Sequence, residues 1–430
     1  MKKCKVNFDY VKPKLFDVLK GYKPNQLEKD LVAGIVVAII ALPLSIALAL
    51  ASGVEPVCGL YTAIVAGFIV SFLGGSRVQI AGPTAAFATI VAGIVAKSGM
   101  KGLVIATLMA GILLIIMGLC KLGTFIKLVP KTITVGFTGG IAVTIFLGQI
   151  KDFLGITYPK GTTAIETAEK IEANIENIST LSLSALLIGI ISLLILIVYP
   201  KFESKVPPSL IAVIVCTAIV KLLPTLDNGV YTIGELYSVP VGLPKPVIAS
   251  LNISMNDIVE QIPNAFIIAV LAAIESLLSC VVADGMIKSR HKPNAELMAQ
   301  GVANIGSVIF GGIPATGAIA RTAANIKNGG KTPIAGMVHA VFLAFTLMFF
   351  MPLVKMIPMP VIATILFIVA YNMSEWRKFV KIIKAKKWQD TLVLIITFAL
   401  TVIFDLIVAI SVGIAIVLIF VIVDKIKNKK

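Results

Sequence analysis

Three side chains able to do chemistry stand inside otherwise apolar stretches of this chain. Glu275 lies in Ile274-Glu275-Ser276-Leu277-Leu278-Ser279, and Arg321 follows the run Gly311-Gly312-Ile313-Pro314-Ala315-Thr316-Gly317. On a helix, Ser279 shares the face of Glu275 four residues earlier. An ionisable group held in hydrocarbon is costly and marks a path for ions or solutes. A carboxyl there could carry a proton or hold a cation. An arginine could hold an anion, or pair with the glutamate when no anion is bound. Asp405 reads as a solvated turn residue and His339 as a packing residue. No nucleophile lies beside a base, and the five cysteines (Cys4, Cys58, Cys120, Cys216, Cys280) lack metal-ligand spacing. Neither an enzyme nor a metal or other cofactor is expected.

The elements that must position these residues are membrane helices. Of 430 residues 58% are hydrophobic and 14% charged, with a mean hydropathy of +0.99; soluble domains carry about a quarter charged residues. That excludes a soluble Rossmann enzyme, a secreted disulfide scaffold and, despite a net charge of +16, a nucleic-acid binder. Apolar runs fall near residues 31–50, 56–74, 82–96, 102–120, 130–150, 181–200, 207–223, 263–286, 295–312, 315–326, 333–351, 353–372, 390–404 and 407–424. They predict fourteen spans, the third and tenth shorter than the roughly 20 residues of a full crossing.

Charge placement orients them. The N-terminal arm holds eight Lys, the stretch from Arg377 to Lys387 six basic residues, and the end Lys425, Lys427, Lys429 and Lys430, whereas Glu166, Glu169, Glu172 and Glu176 lie between the fifth and sixth spans. With an even number of spans all the basic clusters face the cytoplasm, as the positive-inside rule requires. The reading is an arm over 1–29, a transmembrane unit over 30–424 with repeats of about 30–223 and 263–424, and a basic tail over 425–430. Both termini are expected in the cytoplasm of a multi-pass cell-membrane protein, and no cleaved signal peptide is expected.

The short spans also suggest internal symmetry. The third is introduced by Gly74-Gly75-Ser76-Arg77-Val78-Gln79-Ile80-Ala81-Gly82-Pro83-Thr84 and the tenth by the Gly311–Gly317 run, seven spans later. Proline near the first turn suits a helix start, since its missing N–H would have been unpaired there. An extended run before it would begin each helix deep in the bilayer, where non-helical backbone survives only in protein or beside a cavity. Two such helix starts facing each other would pool partial positive charge into an anion site.

These residues also carry a resemblance. Asp30-Leu31-Val32-Ala33-Gly34-Ile35, Gly59-Leu60-Tyr61-Thr62-Ala63, Gly74-Gly75-Ser76-Arg77 through Gly82-Pro83-Thr84, Ile274-Glu275-Ser276-Leu277-Leu278, Arg290-His291 with Asn294 and Glu296, Gln300-Gly301-Val302-Ala303-Asn304 and Gly311-Gly312-Ile313-Pro314 are similar to the sulfate permease (SulP) family of anion transporters. The similarity runs from about residue 28 to 424. It implies an all-α polytopic fold of fourteen spans in seven-plus-seven inverted repeats, like uracil permease, with a core and a gate, elevator-like transport and commonly a homodimer. The implied substrate site is Ser45, Thr84, Ala85, Gly317, Ala318, Ala320 and Arg321, with Glu275 and Ser279 for a coupling ion. Many relatives have Gln where this chain has Leu44, and sodium-coupled bicarbonate relatives use Asp, Thr and Thr where it has Glu275, Ser279 and Ile319. Ile319 has no side-chain oxygen, which favours a proton or plain exchange over sodium. The cytoplasmic STAS domain usual in the family is not expected within this chain.

The expected function is secondary active transport of a small anion, sulfate or bicarbonate before C4-dicarboxylates. The alternatives are an anion channel or voltage-responsive membrane protein, and a nucleobase permease of the same fold. The small residues around Thr84 and Gly317 argue against recognition of a flat ring.

Overall fold

The computed structural model describes residues 10–403, apart from 11, 125–130, 160–163, 165–166, 203–205, 224–228, 239, 241, 248–252 and 386, together with 412–413, 415–416 and 420. Its helices are α1 (Lys14–Leu19), α2 (Pro24–Ala51), α3 (Pro56–Leu73), α4 (Ala85–Leu119), α5 (Lys131–Gly148), α6 (Ile150–Leu154), α7 (Thr167–Glu176), α8 (Leu183–Val198), α9 (Pro208–Leu222), α10 (Ile233–Leu236) and α11 (Met255–Ile287). There follow α12 (Pro293–Ile309), α13 (Ile319–Lys327), α14 (Pro333–Phe349), α15 (Met351–Val354), α16 (Met359–Met373), α17 (Trp376–Lys384) and α18 (Trp388–Ile403). Two two-residue strands, β1 (Ala81–Gly82) and β2 (Thr316–Gly317), interrupt the helices.

Local sequence explains many of the helix starts. Proline occupies the first or second position of α2, α3, α9, α12, α14 and α16, where its missing N–H has no helical acceptor to lose. A capping box between Ser254 and Asp257 opens α11, and the Thr332 side chain caps α14 by accepting from the Ile334 N–H.

Among the described residues seven helices are long and apolar enough to cross a membrane, and α9, α14 and α18 are shorter apolar helices. Helices coincide with the first thirteen expected spans; the last span and the basic tail lie almost wholly outside the described residues. The third and fourth spans are two helical segments of α4, divided at Gly99, whose φ of 62° and ψ of −171° suit glycine and break the helix. Two expectations need correction. The fold is not purely helical, because β1 and β2 pair. Only one proline is near a first helical turn: Pro83 directly precedes the N-cap Thr84, whereas Pro314 lies before β2, upstream of the N-cap Ala318. The two breaks are alike in composition but differ in register.

The helices pack in two groups. In one, α4 lies against α11 and α12, α3 against α12 and α14, and α2 against α14; in the other, α5 lies against α18 and α16, and α8 against α9 and α16. Contacts of α2 with α16 and α9, and of α4 with α5, join the groups. Helix α1 docks on the first: the Lys14 N–H donates to the Gly74 carbonyl, Phe16 packs edge-on against Phe72, and Asp17 pairs with Lys292 at 2.8 Å. The Lys292 hydrogen bond holds the Asp17 carboxyl below its usual range.

A buried carboxylate ties α2 to the turn between α13 and α14. Asp30, fully buried, accepts from Tyr22 Oη, Gln26 Nε2, the N–H groups of Lys331 and Thr332, and Thr332 Oγ1. Donors left unpaired in such a place cost about 1–3 kcal/mol each. Asp30→Ala should therefore lower the thermal unfolding midpoint in detergent, at a cost of about 2 kcal/mol or more; an unchanged midpoint would show that these bonds add nothing net.

Candidate functional site

Backbone that leaves a helix inside a membrane must find partners for its N–H and C=O groups. Here the two breaks use each other and side chains from the opposite half of the sequence. Strands β1 and β2 run antiparallel, with Ala81 opposite Gly317 and Gly82 opposite Thr316, and the Ala318 N–H donates to the Ile80 carbonyl at 2.8 Å. Upstream of β1, Glu296 accepts from the N–H groups of Gly75 and Ser76, Thr322 Oγ1 accepts from the Ile80 N–H, and Asn325 Nδ2 donates to the Val78 carbonyl. Upstream of β2, Thr62 Oγ1 accepts from the Ile313 N–H, Ser307 Oγ donates to the Ile313 carbonyl, and Asn304 bonds both the N–H and the carbonyl of Ala315.

Gln79 joins these parts. Its Nε2 donates to the Ser276 carbonyl at 3.1 Å and its Oε1 accepts from Ser279 Oγ at 2.9 Å. The amide crosses so close to Gly317 that a Cβ there would overlap its nitrogen, and the Gly317 N–H donates to Ser276 Oγ. Glycine at 317 is thus required by close approach.

The strand pair brings the starts of α4 and α13 together. Neither has a side-chain cap: Ala318 has no acceptor to offer, and the Thr84 hydroxyl is directed elsewhere. Thr84 Oγ1 and Thr316 Oγ1 both donate to Glu275 Oε2, each at 2.9 Å. One carboxylate oxygen from α11 therefore bridges the two breaks. Ile319, 40% exposed, and Ala320 are open at the start of α13, whereas Ala85 and Ala318 are buried beside them.

Arg321 sits in the first turn of α13, nearer the helix start than the apolar run suggested. Its side chain is 1% exposed, and Nη2 donates to Ser45 Oγ at 3.2 Å and to the Pro83 carbonyl at 3.4 Å. Among the described residues no carboxylate lies within 4 Å of it, so the expected pairing with Glu275 is not formed. The structure thus gathers Ser45, Thr84, Ala85, Glu275, Gly317, Ala318, Ala320 and Arg321 around the two breaks. Ser279, expected beside Glu275, instead donates to Gln79 and is buried.

Sequence reasoning missed Gln79, Thr316, Thr322 and Asn304. One signal for this group was present: Glu296, Gln300 and Asn304 recur every four residues on α12, a polar stripe in an apolar span.

Two uncapped helix starts and a buried arginine around a small-residue break make an arrangement that can attract a compact anion. Residues 27–397 match the Sulfate permease family. The chain belongs to that family. It is 43% identical over 406 residues to the putative sulfate transporter YvdB of Bacillus subtilis (strain 168), covering 93% of this chain and 74% of the relative. It is 32% identical over 400 residues to the bicarbonate transporter BicA of Picosynechococcus sp. (strain ATCC 27264 / PCC 7002 / PR-6), covering 91% of this chain and 69% of that one. The transmembrane domain of a cyanobacterium bicarbonate transporter BicA superposes with a TM-score of 0.80 at 29% identity, covering 90% of this chain and 98% of the other. These relatives are transporters, not enzymes, and the chain shares their mostly helical membrane fold.

Gly317→Ala should force Gln79 from its position and cost about 1–3 kcal/mol, the usual price of overpacking. The double variant Gly317→Ala/Gln79→Ala should recover part of that loss, as read from thermal midpoints; additive losses would show that the two residues do not compete for one space.

Proposed function

We propose that this chain is a secondary active transporter of a small oxyanion, sulfate or bicarbonate, that binds between the starts of α4 and α13 and is coupled to a proton or exchanged for another anion. One observation carries the reading: two uncapped helix starts meet beside an arginine that has no carboxylate partner among the described residues. Each helix N-terminus contributes about half a positive charge, and Arg321 adds a full one. Among the described residues Glu275 is the carboxylate that reaches both breaks, through Thr84 and Thr316.

Charge balance suggests the coupling. With Glu275 ionised, the local positive charge is partly cancelled; with Glu275 protonated, it is free to hold an anion. Proton and anion therefore favour each other's binding, and the linkage is reciprocal. Engagement of Ser279 with Gln79 and the apolar Ile319 leave few side-chain oxygens for sodium around Glu275. The names of the relatives supply the substrate choice.

The two packing groups correspond to a core of α2–α4 with α11–α14 and a gate of α5–α9 with α16–α18. In the proposed fourteen-span inverted-repeat arrangement, the core carries the anion past the gate by an elevator-like movement. The basic clusters support cytoplasmic termini through the positive-inside rule.

Proteoliposome uptake of labelled sulfate and bicarbonate, with and without sodium and with an imposed proton gradient, tests the reading. Saturable, gradient-responsive uptake of either anion is the expected result, and large uncoupled currents would reject a carrier. Glu275→Gln should abolish stimulation by the proton gradient while the protein stays folded; retained stimulation would exclude the coupling role. Arg321→Ala should raise the half-saturation concentration about tenfold or more, the effect of losing a charged hydrogen bond. An unchanged value would remove Arg321 from the anion's surroundings.

A further inference from the structure

Two buried side chains with unanswered hydrogen-bonding groups pack against β1. Among the described residues Arg321 Nε and Nη1 have no protein partner, and the imidazole of His339 on α14, 0% exposed, has none at either nitrogen. The Arg321 Nη1 lies over Gly82, where a Cβ would collide with it. His339 lies over Gly67 on α3, where a Cβ would stand 3.5 Å from its Nδ1 and 3.3 Å from the Ala81 carbonyl. Both therefore flank the same strand, where it faces Ala63 and Gly67 of α3.

Four unpaired nitrogens in one buried region are unusual, since buried polar groups are almost always satisfied by protein or ordered water. Their chemistry is complementary. The guanidinium offers donors only, whereas a neutral imidazole offers one donor and one acceptor. The walls formed by Ala63, Gly67, Ala81 and Gly82 supply no side-chain acceptor. A water that accepts from Arg321 and donates to the acceptor nitrogen of His339 satisfies both, and buried waters typically make about three such bonds.

We propose that Arg321 and His339 are joined through an ordered water beside β1, which makes His339 the positioning residue that keeps the guanidinium at the helix starts. The functional part rests on the reading of Arg321 as the anion's counter-charge. His339 does not touch the anion. It fixes the orientation of the group that attracts it.

The chain's two histidines make the link measurable by selective 15N-histidine labelling and NMR, with His291→Gln assigning the signals. The expected His339 signals are those of a neutral, hydrogen-bonded imidazole that shifts in Arg321→Lys. Ring nitrogens without a hydrogen bond, or indifferent to Arg321→Lys, would overturn the link. In sulfate uptake, His339→Leu should raise half-saturation roughly 3–10-fold, about the effect of one hydrogen bond, with maximal rate and elution profile kept, and His339→Gln should restore most of the affinity. Unchanged half-saturation in His339→Leu would overturn the positioning role. The counter-charge reading fails separately, if Arg321→Ala leaves half-saturation unchanged while the NMR signals still report the link.

Discussion

The architecture depends on one constraint: unwound backbone inside a membrane must have its polar groups answered by protein or turned to a cavity. Two residues of β1 against two of β2 answer only part of the need. The rest falls to side chains reaching across the sequence, among them Glu296 to Gly75 and Ser76, Thr322 and Asn325 to the first break, and Thr62 to the second. Each half of the chain therefore completes the other, and the packing of α4 with α11 and α12 follows from that exchange.

The same arrangement separates support from binding. Gln79, Asn304 and Ser279 spend their polar groups on backbone or on one another, so they hold geometry and have little left for a solute. The helix starts of α4 and α13, by contrast, have no side-chain caps. Glu275 stands between these classes: two threonines fix one carboxylate oxygen, and both belong to the breaks themselves. A change of charge at Glu275 thus acts on both helix starts at once.

Much of this was legible in the sequence because it offends the apolar background. Glu275 and Arg321 are conspicuous charges, and the Gly-Gly and Pro runs are conspicuous breaks, so the place of the breaks and most of the residues gathered around them could be read directly. What could not be read is what depends on distant partners. The pairing of Ala81 with Gly317 leaves no local mark, and Pro83 and Pro314 look equivalent until the strands show that one follows its strand and the other precedes it. Ser279 has the right helical spacing to join Glu275, yet Gln79, a residue of the opposite half, claims its hydroxyl. The split of α4 at Gly99, by contrast, falls in the gap between the third and fourth apolar runs and was legible.

The strand pair also sets a schedule for biogenesis. When Ala81 leaves the ribosome, its partner Gly317 has yet to be made, and at roughly 5–20 residues per second the intervening chain takes tens of seconds to appear. During that interval the first break cannot stay in lipid with its amides bare. The nascent N-terminal half must keep that segment hydrated, shielded by the insertion machinery or outside the bilayer until the second half arrives to seat it.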